Sequence, residues 1–65
     1  MLHDAMPDRH YYARRAKAEL AAAQAAVAPE VGSIHLRMAD YYVCIVTEMD
    51  RLTAELNACL SRVVD

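Results

Sequence analysis

The residues with chemistry to offer are few. Arg9, Arg14, Arg15 and Lys17 are four of the seven Lys and Arg residues, and they stand with His10 around the pair Tyr11-Tyr12. Cations interleaved with aromatic rings can hold phosphate, RNA or an anionic membrane surface. The plainer expectation is a solvated helix face, because Asp8 and Glu19 dilute the patch and the formal net charge is −2. Its counterpart would be the acidic side of the second half of the chain (Glu30, Asp40, Glu48, Asp50 and Glu55). His35 lies on an otherwise apolar line. It could serve as a ligand or a pH-sensitive group, but a core histidine bonded to a tyrosine or a carboxylate is the simpler expectation. Tyr12 and Tyr42 could line a small-molecule pocket between helices. More often such tyrosines are core, with the hydroxyl reaching a partner at the rim.

Metal and redox chemistry find little support. His3 and His10 stand near Asp4 and Asp8, yet the Glu-x-x-His spacing of di-metal helical bundles is missing. Cys44 and Cys59 are fifteen residues apart on one expected helix. At a rise of ~1.5 Å per residue that separation is about 22 Å, far beyond disulfide reach within a chain. They form no CxxC or CxxH spacing, so neither a disulfide framework nor a zinc site is expected. Nothing cationic adjoins Cys44, and only Arg62 neighbours Cys59, so redox sensing has little behind it. Glu48 is expected to turn to the surface or to salt-bridge a partner chain. No Ser-His-Asp set, phosphate loop or catalytic carboxylate pair can be assembled, so the expectation is a non-enzyme without cofactor or metal.

The elements that would carry these residues are helices. Counting sevens from His35 gives His35, Tyr42, Met49, Leu56 and Val63, and a second line reads Met38, Ile45, Leu52 and Cys59. Such a heptad pattern marks a helix packed lengthwise on others, as in a coiled coil. The six-residue apolar run Tyr41–Val46 has strand propensity, but the heptad continues through it on both sides. Leu36, Val43 and Val46 fall outside the seam, which implies burial on more than one side. The earlier stretch is alanine-rich and unbroken by Gly or Pro. Its heptad lines are Met6, Ala13, Leu20, Val27 and Arg9, Ala16, Ala23, so its seam is small. Pro7 suits a first helical turn, with Asp8 complementing the dipole.

Ala28-Pro29-Glu30-Val31-Gly32-Ser33 is the one break. The expected organisation is a single domain with helix one at about 7–27, a turn at about 28–32 and helix two at about 33–63. The start of helix two stays open between Pro29, which is favoured, and an N-cap at Ser33. A short connection makes the two helices antiparallel neighbours. Folding back at the turn sets Ala23 opposite His35, Leu20 opposite Met38, Ala16 opposite Tyr42 and Ala13 opposite Ile45. Small meets large at most of these levels.

The lengths do not match. Helix one runs out near Leu52, leaving Leu56, Cys59, Leu60 and Val63 without an intramolecular partner. At 65 residues a chain is marginal without a staple, and oligomerisation is the one left. The all-α hairpin is therefore expected to dimerise, or assemble further, into an antiparallel four-helix bundle. Its interface would comprise Tyr42, Ile45, Val46, Met49, Leu52, Leu56, Cys59, Leu60 and Val63.

The phrase Tyr11-Tyr12-Ala13-Arg14-Arg15-Ala16 with Glu19-Leu20, followed by His35-Leu36-Arg37-Met38-Ala39-Asp40-Tyr41-Tyr42, resembles a group of short, uncharacterised bacterial two-helix proteins. Their helices read roughly YYxRRAxxE and HxxLAxxY. Met38 stands where that group usually has Leu, and Gly32-Ser33 replaces more helical residues. The resemblance implies a two-helix architecture and carries no active site.

Function is thus expected to be that of a small protein-interaction or regulatory module, self-associating and binding a further protein. A nucleic-acid or anionic-surface binder using Arg9, Arg14, Arg15 and Lys17 is the first alternative. A small-ligand or metal carrier using His35 and Tyr42 is the second. The charged N-terminus is no secretory signal, and no apolar run approaches the roughly 18 residues of a membrane span. A cytoplasmic location is expected.

Overall fold

The computed structural model describes residues 8–64, which form two α-helices packed as an antiparallel hairpin. Helix α1 spans Arg9–Ala25 and α2 spans Pro29–Val64. Met1–Pro7, and with them the expectations for His3, Asp4, Met6 and Pro7, lie outside the described residues.

Asp8 begins α1. Its backbone is extended (φ −124°, ψ 113°), and its carboxylate accepts the His10 N–H at 3.0 Å. An acidic N-cap satisfies an otherwise orphan donor and opposes the positive end of the helix dipole. At the other end the Ala26 N–H donates to the Ala23 carbonyl at 3.3 Å, and the chain turns through residues 26–28. Pro29 is the first residue of α2, where a missing N–H costs nothing and φ is already set. The N–H groups of Val31 and Gly32 both donate to the Ala28 carbonyl at 3.1 Å. The turn is accordingly tighter than the 28–32 expected, and Gly32 and Ser33 belong to the second helix.

Gly32 has no positive φ. The helices come close here, yet a Cβ would stand 3.5 Å from the Ala23 carbonyl oxygen and 3.6 Å from the Ala26 Cβ, in ordinary van der Waals contact. The helices are close because small residues meet. Among the described residues three are buried: Ala16 at 6% exposed, Ala39 at 3% and Glu19 at 5%.

The face of α2 turned to α1 reads Gly32, His35, Ala39, Tyr42, Val46, Met49, all buried or half-buried. One line of the heptad pattern, His35, Tyr42 and Met49, lies in this contact, but it is joined by Gly32, Ala39 and Val46 rather than by the second line through Met38 and Leu52. Alternating steps of three and four place the contact face roughly 100° around the helix from that second line. That displacement revises the pairing levels expected from the sequence. Leu20 and Met38 do not meet in a core; both are exposed. His35 meets Glu19 rather than Ala23. The physical reason is backbone approach, since Gly32 and Ala39 let α1 nestle closer than Met38 and Leu52 would allow.

α1 has 17 residues and α2 has 36, about 26 and 54 Å. From Arg51 to Val63 every residue of α2 is exposed.

Candidate functional site

Two features stand out, a polar cluster inside the hairpin and an apolar stripe along its outside.

The cluster is built on Glu19. Its Oε1 lies 2.6 Å from His35 Nδ1, and its Oε2 accepts from the Arg15 guanidinium one turn earlier. A carboxylate only accepts, so Nδ1 carries the proton in this contact. Burying a charge requires partners, and Glu19 has one from each helix. Above it, the Arg15 guanidinium carbon is 5.6 Å from the centroid of the Tyr42 ring, within cation–π range. The four tyrosines form a continuous run across both helices. Tyr11 meets Tyr12 edge-on at 5.2 Å, Tyr12 faces Tyr42 at 6.1 Å, and Tyr42 meets Tyr41 edge-on at 5.4 Å.

The arrangement fastens α1 to α2. The imidazole is oriented by a carboxylate, as a general base would be, but among the described residues no hydroxyl or thiol is a hydrogen-bond partner of His35. Among the described residues no group of three His, Cys, Asp or Glu side chains is placed to hold a metal.

A second clamp lies at the other end of α1. Arg9 donates from Nε to Asp50 Oδ1 at 2.7 Å and from Nη2 to Oδ2 at 3.0 Å. This bidentate pair draws the Asp50 carboxyl below its ordinary range, through the Arg9 hydrogen bond first and its charge second.

The four cations named from the sequence therefore divide. Arg9 and Arg15 are committed to Asp50 and Glu19. Arg14 and Lys17 are exposed and have no ion-pair partner among the described residues. Glu48 turns to Arg51 of its own helix, which also reaches Glu55 at 2.5 Å. The Arg51 hydrogen bonds lower the Glu48 carboxyl below its usual range. Cys44 and Cys59 are free and exposed.

The apolar positions divide as well. Tyr42, Ile45, Val46 and Met49 are half-buried in the hairpin. Leu52 (52% exposed), Leu56 (58%), Leu60, Val63 (75%) and Cys59 lie beyond the reach of α1. Ile34, Met38 and Tyr41 continue the exposed apolar line toward the turn. An open groove of about 520 Å³, lined by Tyr12, Tyr41, Cys44, Ile45, Glu48 and Met49, lies on this side of the hairpin. No described helix is long and apolar enough to cross a membrane.

Sequence reasoning missed Glu19, taking it for a diluent of a basic face. The available signal was its place on the line Tyr12, Ala16, Glu19, Ala23, whose spacing is that of the alanines packed on α2.

No protein-family model, curated protein or solved structure matches this chain.

Proposed function

We propose that the chain is a non-catalytic interaction module that works as a homodimer, with the second helices of two copies at the centre of a four-helix bundle. The observation that carries this is the bare end of α2, where Leu52, Leu56, Leu60 and Val63 are all half or more exposed. A stripe of that kind in water is a protein-contact surface or an aggregation hazard. The elongated shape agrees. The Cα radius of gyration is 16.2 Å, where a compact chain of this length has about 11 Å. The chemistry also supports a binding role over a catalytic one, since the His35 imidazole, held by Glu19, serves to hold the hairpin shut. A further protein partner would meet the outer faces, which keep Leu20, Leu36 and Val43 exposed.

The test is thermal unfolding followed by circular dichroism over a wide range of chain concentration. A dimer makes the midpoint rise with concentration, and Leu56→Asp with Leu60→Asp should abolish that dependence. A wild-type midpoint independent of concentration would remove the proposal.

A further inference from the structure

We infer that two copies of this chain pair antiparallel along α2, in a register that sets Ile45 against the partner's Leu52 and Met38 against the partner's Cys59. This rests on the homodimer proposed above and names how the copies meet. Ile34, Met38, Tyr41 and Ile45 are spaced by four, three and four residues. Leu52, Leu56, Cys59 and Val63 are spaced by four, three and four again.

The two sets are separated by eighteen residues, which is five full turns at about 3.6 residues per turn. They therefore occupy the same face of a straight helix, offset from the face that α1 covers. Run in opposite directions, the spacings coincide at every level. Tyr41 then meets the partner's Leu56, and Ile34 meets the partner's Val63. All these levels join apolar to apolar.

Length and charge agree with this register. The bare segment beyond α1 is about as long as the uncovered stripe on the hairpin, so each copy's overhang lies along the hairpin of the other. Away from the twofold axis each level then holds three helices (α1, α2 and the partner's α2), and the four helices of the dimer come together at the axis, where Arg9 of α1 reaches Asp50. A parallel pairing would instead stack both hairpins at one end and leave two bare helices at the other. The groove between Tyr12, Tyr41, Ile45 and Met49 falls at the levels of the partner's Leu52 and Leu56, which would enter it as knobs into a hole. The twofold crossing falls at Glu48 and Met49. There the Glu48 carboxylate is already neutralised by Arg51 of its own chain, which limits like-charge repulsion across the axis.

Native Cys59 makes the register testable by cross-linking. Met38→Cys combined with Cys44→Ser should form a covalent dimer on mild oxidation, with most of the chain at twice its mass on a denaturing gel. The two thiols cannot close within one chain, since twenty-one residues of helix separate them by about 32 Å. Cys44→Ser alone, which keeps Cys59 as its one thiol, should stay monomeric on the same gel. Solution mass and helicity of both variants are measured before oxidation. Ile34→Cys with Val63→Cys, in the background Cys44→Ser and Cys59→Ser, repeats the test at the far end of the stripe should the substitution at 38 disturb folding.

Dimeric variants that fail to cross-link at both pairs, or that cross-link through Cys59 alone, would overturn the antiparallel register and leave the homodimer standing. A monomeric solution mass for wild type and variants would overturn both.

Discussion

Glu19 is the one buried polar side chain among the described residues, and it is bonded from both helices. Glu19→Ala removes hydrogen bonds to two groups able to carry charge, and should lower stability by about 1–2 kcal/mol, read as a fall in the urea midpoint with helical structure retained in water. A variant as stable as wild type would mean that the cluster is ornamental. Acid reports on a different pair. Arg9 lowers the Asp50 carboxyl in the folded chain, so the contribution is present above the ordinary aspartate range near about 4 and is lost as pH falls through the lowered value. Stability should therefore drop on acidification below that range, and the drop should shrink in Asp50→Asn. Equal acid sensitivity in both chains would exclude Asp50 as a source. At this scale the sequence was partly legible. A histidine on an apolar line calls for a buried partner, and His35 has one. Which carboxylate supplies it depends on the rotation of α1, and an alanine-rich helix with no strong apolar face does not reveal that rotation.

The elements themselves were legible because the chain contains one cluster of helix breakers and no other. Their contact face was legible in part. Of the two heptad lines in α2, α1 takes the one through His35, Tyr42 and Met49 and packs between it and the smaller residues Gly32, Ala39 and Val46, leaving the line through Met38 and Leu52 aside. Two substitutions probe that contact. Gly32→Ala places a methyl group in ordinary van der Waals contact at 3.5 and 3.6 Å and removes a helix-interior glycine. It should raise stability by about 0.5–1 kcal/mol in denaturant unfolding. Ala39→Leu forces a large side chain into a position that is 3% exposed and should cost about 1–3 kcal/mol. If the leucine were tolerated without loss, α1 would have to lie elsewhere on α2. The second helix thus has two faces of different character. One holds α1 and mixes the small Gly32 and Ala39 with His35, Tyr42, Val46 and Met49. The other is large and apolar and is left open.

On the scale of the whole molecule, the mismatch between a 17-residue and a 36-residue helix sets the functional question. The overhang was foreseeable by counting residues on either side of the turn. Where the open stripe lies relative to α1 required the structure, and that relation now suggests how a second copy would fit. It also redirects mutagenesis. Ile45 is half-buried beside α1, so a charge there would disturb hairpin and assembly together. Leu56 and Leu60 lie beyond α1, and changing them leaves the hairpin contacts intact. The most direct measurement is the solution mass of the wild-type chain by light scattering across a dilution series. The homodimer should show twice the 7.3 kDa chain mass at high concentration, with dissociation on dilution. A mass of one chain at every concentration, with helicity unchanged, would contradict it.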